Sequence, residues 1–513
     1  MNRSAIAALL IALYWFAPPT EAPAAPDSAP AADIGSRREL LVDDFLIERR
    51  DGAQLRLHTP TPREVVFPHD APWEGSGCTF CTAFRDGKRV RMWYTGADLT
   101  HEDGSKLGTR PIVYCYAEST DGIHFVKPEL GLFEFQGSKR NNIIWAAPHL
   151  DNFMVFKDLN PACRPGETYK AVSSGVVNNR PVLWALKSSD GLRWSRLGDQ
   201  PILTQGAFDT LNVAFWDPLT QKYSCYIRGF HRGAEDAVEK DVRDIRVATS
   251  SDFLHWTVPE LLRFPGAPDE ALYTNNVQPY YRAPHLFVGF PTRYVNRPWS
   301  PAFLALPDPT HRQQRMKLHS RYGTVVTDGL FMTSRDGRTF HRWGEAFIRP
   351  GIERKHNWLY GDCYQNCGLI ETAAEDPLAP PELSFYCIEN HWKTGSRTRR
   401  CTIRIDGFVS LHAPLSGGQM VTRPLVFAGQ ALTINFSTSA AGSIRVELQH
   451  PDGRPIPEFT LADGYEVFGD RLDRVVEWKR GCNLEQLVGK PVRLRFVLKD
   501  ADLYSFQFTD QRR

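Results

Sequence analysis

SSDGLRW, Ser188–Trp194, is a compact turn-and-return motif. Its Asp-Gly pair makes a tight turn, and an aromatic four residues after the Asp starts a return strand. The same pattern recurs as STDGIHF (Ser119–Phe125), SSDFLHW (Ser250–Trp256) and SRDGRTF (Ser334–Phe340), with RIDGFVS (Arg404–Ser410) a weaker fifth copy lacking the aromatic. Alternating strands such as VYCYAE and FMT lead into these turns. The turn aspartates Asp121, Asp190, Asp252, Asp336 and Asp406 stand 69, 62, 84 and 70 residues apart. Repeats at that period are propeller blades.

Working outward, Asn142-Ile143-Ile144, Pro201-Ile202-Leu203 and Pro259–Leu262 each end a hairpin's outer strand. A new strand begins some eight to twelve residues later, often with an acid: Asp151, Asp209, Asp362, and Glu74 in the first unit. The fourth unit opens with Tyr273-Thr274-Asn275-Asn276. Val213–Gly229 and Thr82–Gly96 read as inner hairpins. Two hairpins make a four-stranded blade and five units a five-bladed propeller, expected over 37–414. Helical periodicity is nearly absent. Beyond Pro414, Ile444, Val446 and Leu448 alternate with Arg445, Glu447 and Gln449, and Val492–Leu498 repeats the pattern. Half-buried antiparallel strands of this kind predict a β-sandwich over 415–513. The fold class is all-β.

Composition narrows function. The 513 residues carry 61 basic against 59 acidic side chains, a net charge of +2 that offers no field for gripping nucleic acid. Thirty Phe, 17 Tyr and 13 Trp exclude disorder. Arg3, the apolar run Ala5–Phe16 and the small residues Ala22–Ala25 read as a signal peptide over 1–25, followed by a linker over 26–36. A soluble secreted or periplasmic protein without a membrane span is the expectation. Cys78 and Cys81, and Cys363 and Cys367, have metal-ligand spacing but fall in predicted strands. Buried thiols, or one or two incidental disulfides, are expected, with no metal and no cofactor.

In a propeller the starts of the inner strands ring one mouth of the channel, so Glu74, Asp151, Asp209 and Asp362 should converge. Carboxylates around one polar cavity raise one another's pKa and divide acid and base roles, as glycoside cleavage requires. Asp209 and Glu74 form the leading pair, with Asp151 or Asp362 tuning it. Trp73, Phe208, Tyr273, Trp358 and Tyr360 offer ring faces for sugars beside Asn152 and Asn275. His69, Arg228, His231, Arg232, Arg293 and His391, with Arg397, Arg399 and Arg400, make a basic rim suited to a substrate bearing carboxylate or sulfate. The bland alternative is that each acid is a turn or cap residue and the arginines a solvated face. Asp43 and Asp44 read as an edge or closure element.

LLVDDFLI, HDAPWEGSG, YTNNVQPYYRAPH, FVGFPTRY, RIDGFVSLHAP and LKDADLYSF resemble exported bacterial proteins of the family-32-like kind, and the whole order resembles the five-bladed glycoside hydrolases of families 32 and 43. The resemblance implies a propeller followed by a sandwich and acids on inner strands of successive blades. The invertase motif W-x-N-D-P-N-G is missing and HDAPWEGSG stands in its place, so sucrose and fructan activity does not carry over. A glycosidase acting on an oligo- or polysaccharide, with carbohydrate as its partner, is the leading expectation. Its rivals are a non-catalytic carbohydrate-binding or surface-assembly propeller and a sialidase-like enzyme, whose Asp-box the turns resemble only in part.

Overall fold

The computed structural model describes residues 30–101, 103–108, 111–146, 150–233, 241–355 and 357–510. The expected signal peptide lies outside them. No helix among the described residues is long and apolar enough to cross a membrane.

Five four-stranded antiparallel sheets form the propeller. Blade 1 comprises Thr82–Asp86, Arg89–Gly96, Val113–Ser119 and Ile143–Trp145, and blade 2 comprises Leu150–Lys157, Tyr169–Val177, Arg180–Ser188 and Ser195–Arg196. Blade 3 comprises Val213–Asp217, Lys222–Arg232, Asp241–Ser250 and Glu260–Leu261. Blade 4 comprises Gln278–Tyr280, Ala283–Gly289, Met332–Ser334 and Phe340–Arg342. The first strands converge on one axis, where Ala83, Val155, Ala214, Pro279 and Leu369 line a common apolar cavity of about 670 Å3.

The turn motif does what its residues predict. Asp190 Oδ1 accepts from Leu192 N and Arg193 N, both at 2.8 Å, while Ser188 Oγ accepts from Gly191 N at 2.8 Å. Asp121, Asp252 and Asp336 repeat this cradle. The residue after the Asp takes a left-handed φ, 76° at Gly191 and 68° at Phe253, which explains the usual glycine.

The fifth unit departs from expectation. Its strands Ile370–Thr372, Glu382–Glu389 and Arg397–Ile403 are completed by Thr61–Pro68 from the other end of the chain. Asp406 turns no blade hairpin. It is fully buried and accepts from Tyr280 Oη at 2.7 Å, Arg282 Nε at 2.9 Å and Ser505 Oγ at 2.9 Å, joining blade 4 to the C-terminal module. The propeller thus runs from Thr61 to Ile403 rather than over 37–414.

The residues on either side belong to the second module. Ala32–Gly35, expected as linker, pairs in parallel with Leu425–Phe427, because Ala32 and Ile34 alternate inward into its core. Glu39–Leu40, Ile47–Asp51 and Gln54–Leu57 join an eight-stranded sheet with Val409–Ala413, Gly418–Thr422, Asp470–Val475 and two long bulged strands, Ala431–Gln449 and Arg493–Thr509. Ile444, Val446, Leu448, Leu494, Phe496 and Leu498 are buried in one core, as their alternation predicts. Glu447 and Gln449 are buried too; Glu447 accepts from Leu461 N at 3.0 Å and from Gln449 Nε2 at 2.8 Å. Arg335 of the blade 4 turn fastens the modules through Glu39 (3.0 Å) and Asp43 (2.9 Å). Among the described residues no disulfide forms, and eight of the ten cysteines are buried.

Helical structure interrupts blade 4. Between Thr292–Asn296 and Val325–Gly329, which pair as an extra hairpin, lie three helices: Pro301–Ala305, Pro309–Leu318 and Ser320–Thr324. Asp308 before Pro309, and Ser300 accepting from Phe303 N ahead of Pro301, are start signals that local chemistry supplies.

Candidate functional site

The segments leading into the first strands meet at the channel mouth around a cavity of about 160 Å3. Asp151, Asn152, Asp209, Tyr273, Tyr360 and His391 line it, together with Phe80, Arg321, Tyr322, Tyr364 and Trp392. Asp151 opens the first strand of blade 2, whose register slips between Asp151 and Met154. At that bulge Asn152 takes a left-handed φ of 54°. Its backbone N donates to Asp151 Oδ1 at 2.7 Å. Its side-chain amide, oriented to satisfy both ends, donates to Asp151 Oδ1 at 3.2 Å and accepts from Thr210 N at 3.1 Å. One residue thereby ties the acid of blade 2 to the segment carrying Asp209. Phe80 (φ 52°) and Trp392 (φ 73°) share this sparsely populated backbone region, so three non-glycine residues of the cavity wall hold local strain.

The two acids have different surroundings. Burial, and then the charge of Asp209, raises the Asp151 carboxyl to about 6. Asp209 keeps a side-chain exposure of 63%, with Arg228 Nη2 at 3.6 Å and Tyr273 Oη donating to it at 3.4 Å. Arg228 lies 4.8 Å over the Tyr273 ring. Tyr273 stacks on Tyr364 at 5.5 Å, Tyr360 stands edge-on to Tyr273 at 6.0 Å, and Tyr322 lies 4.7 Å from Trp392. Ring faces therefore wall a polar floor, an arrangement that fits the apolar faces and hydroxyl edges of a sugar. Gly361, at φ 96°, leaves room for His391: a Cβ there would lie 2.2 Å from the imidazole. Burial, then Arg315, lowers His391 to about 3, so the ring is neutral.

Glu74 is not among the cavity-lining residues. Its buried carboxylate accepts from Tyr94 Oη at 2.5 Å, from Ala71 N at 2.8 Å and from Lys127 Nζ at 2.8 Å. The cavity thus brings Asp209 together with Asp151 and not with Glu74. Asp362 sits behind the wall, accepting from His391 N at 3.1 Å, and burial raises it to about 7. Several expected sugar contacts are structural. His69 bonds Ser396 and Thr398, both at 3.0 Å; Trp73 Nε1 donates to Asn142 at 2.7 Å; Asn275 Nδ2 donates to Leu211 O at 3.3 Å. Phe208 is core. Trp358 lies in a separate groove with Arg293, whose guanidinium is taken by Asp328 and Glu270.

The basic rim is largely internally neutralised. Arg397 and Arg399 pair with Glu389, Arg400 with Glu64, and His231 with Asp244 and Asp269. Tyr364, Trp392, Tyr322 and Arg321 escaped the sequence reading. Tyr364 and Trp392 stand beside residues singled out from sequence, in WLYGDCYQN (Trp358–Asn366) and next to His391, so aromatic density there was the available signal.

No protein-family model matches the chain, and no curated protein matches it. Among solved structures it is similar to a glycoside hydrolase at 14% identity, with a TM-score of 0.42 over 68% of this chain and 93% of that one. An N-acetylgalactosamine deacetylase from F. plautii, in complex with blood group B trisaccharide, matches at 10% identity and a TM-score of 0.42, over 68% and 95% of the two chains. A fructofuranosidase from Schwanniomyces occidentalis, complexed with fructosylnystose, matches at 10% identity and a TM-score of 0.37, over 87% and 98%. The solved structures that this chain resembles thus include glycoside hydrolases.

Proposed function

We propose that the protein is a glycoside hydrolase acting at the channel mouth. One observation carries the reading: Asp151 and Asp209 share an aromatic-walled cavity but differ in environment, one desolvated and the other exposed beside a guanidinium. Asp151, holding its proton up to about pH 6, protonates the leaving glycosidic oxygen. Asp209, exposed and 3.6 Å from Arg228, faces the developing positive charge on the anomeric carbon, attacking it or activating a water. The neutral His391 and the tyrosine hydroxyls hold sugar hydroxyls. An anionic saccharide remains the finer reading, now resting on cavity residues instead of the internally paired rim.

The test is a screen of the purified protein against neutral, uronate-bearing and sulfated polysaccharides, reading released reducing ends. Release that falls by about 10²- to 10⁴-fold in both Asp151→Asn and Asp209→Asn, with folding intact, supports the assignment. Full activity in both variants refutes it, and saccharide binding without release makes the protein a binding propeller. The same proposal places the enzyme outside the cytoplasm, on the strength of Arg3 and the apolar run Ala5–Phe16. N-terminal sequencing of the mature protein checks that placement.

A further inference from the structure

The helical insertion of blade 4 differs from much of the propeller in how its arginines are neutralised. Several partly and fully buried arginines have carboxylate partners: Arg335 has Glu39 and Asp43, Arg342 has Glu270, Arg293 has Asp328, and Arg399 has Glu389. The insertion carries Arg312, Arg315 and Arg321, and none of them has a carboxylate within ion-pair distance among the described residues. Arg321 is half-buried in the cavity wall, with its Nε buried and without a hydrogen-bond partner. Arg315 is fully buried, and neither its Nε nor its two Nη atoms have a partner. Its guanidinium lies 5.5 Å from the ring of Trp392, another wall residue. His391 Nδ1, in the same wall, is buried and unpartnered as well.

Charge within the cavity makes this more specific. Asp209 is already faced by Arg228, and the Asp151 carboxyl is desolvated. The remaining guanidinium, Arg321, has Tyr322 as its hydrogen-bonding and ring neighbour and no carboxylate within ion-pair distance among the described residues. A phenol is a weaker acceptor for a guanidinium than an oxyanion is. A planar fork of donors takes an oxyanion in two parallel hydrogen bonds.

We infer that Arg321 is a specificity-determining residue that receives an anionic group borne by the saccharide, a carboxylate or a sulfate ester, in the channel-mouth cavity. This inference rests on the cavity being a saccharide site, but it does not require hydrolysis there. A neutral sugar in the same position would further desolvate Arg321 without compensating it, so the site discriminates against uncharged ligands. The same oxyanion chemistry would also accept free inorganic phosphate or sulfate, and the experiment separates the two sources.

Calorimetric titration of the full chain with a uronate disaccharide, a sulfated disaccharide, the carboxyl-reduced neutral disaccharide and inorganic phosphate tests the inference. One of the charged sugars should bind about 10- to 100-fold more tightly than the neutral one. Arg321→Met should erase that preference, and Arg321→Lys should restore part of it. Equal affinity for charged and neutral sugars in the unmodified protein overturns the inference. So does a preference that survives Arg321→Met, or inorganic phosphate that binds as tightly as the charged sugar. Because binding is the readout, failure of the hydrolase reading shows in the reducing-end assay alone and leaves the charged-sugar preference standing, whereas failure of this inference shows in the titration.

Discussion

Replacing Asp151 with Asn should remove activity and yet stabilise the protein at neutral pH. The carboxyl sits at about 6 against 3.8 for an ordinary aspartate, first through burial and then through the charge of Asp209. The folded state therefore holds this proton more tightly than the unfolded chain does. Stability linked to that proton is fully present below about pH 4 and is lost as the pH rises through about 6. At about 1.4 kcal/mol for each tenfold change in proton affinity, the full effect at neutral pH is about 3 kcal/mol. Partial solvent contact at the cavity reduces it to about 1–2 kcal/mol. The substitution keeps an oxygen that accepts from Asn152 N, and the backbone carbonyl still accepts from Ser173 and Ser174. Thermal melting and urea midpoints of both proteins, taken from about pH 4 to about pH 8, give the comparison. The variant's advantage should open between about pH 4 and pH 6 and then stay level. A variant less stable than the parent at neutral pH, or a difference that does not change with pH, refutes the assignment of Asp151 as a desolvated acid.

Three further outcomes follow from the same geometry. Once a substrate is in hand, kcat/KM should fall as pH rises through about 6, because Asp151 then loses the proton it must donate; a rate flat from about pH 5 to pH 8 removes it from that role. Glu74→Gln should keep turnover while lowering the urea midpoint by an amount worth about 1–3 kcal/mol, since Lys127 loses its buried counter-charge. Lost turnover in a folded Glu74→Gln protein would return Glu74 to the catalytic pair. Phe67→Ala, in the strand that closes blade 5, should cost about 3–5 kcal/mol, because Phe67 is buried 5.2 Å from the rings of both His69 and Tyr94. Differential scanning calorimetry reads that loss.

The propeller was legible because its signals are local. An Asp accepting from backbone N–H groups two and three residues on, and an aromatic four residues on, are written within seven residues, and the blade period follows from counting them. The closing strand was not, since TPREVVFP (Thr61–Pro68) finds its partners more than 300 residues away and nothing within it names them. The N-terminal strands of the second module were hidden for the same reason. Alternation at Ala32 and Ile34 was visible, but a Pro-Ala-rich neighbourhood reads as linker. Convergence of acids could be inferred from blade register, which brought Asp151 and Asp209 together. Register could not say that Lys127 would neutralise Glu74, because that contact crosses from the outer part of blade 1. Asp308-Pro309 and Ser300-Pro301 were readable as helix starts. They lie in a β-rich sequence with little helical periodicity, and Arg321 belongs to the same insertion.

Closure of the ring by Thr61–Pro68 bears on the order in which the chain can fold. Arg400 and Glu64, which meet across that seam, are 336 residues apart, and Arg38 reaches Ser505 across 467. During synthesis from the N-terminus, strands 32–68 emerge first and wait longest, their edges unpaired until nearly the whole chain has appeared. Blades 1 to 4 can form in sequence as they emerge, but the ring stays an open arc. Loop-closure entropy is settled in one late event that completes both modules together. Refolding should therefore be slow relative to blade formation, with the waiting strands as the species most exposed to mispairing. In the finished molecule the same seam joins the two ends of the chain.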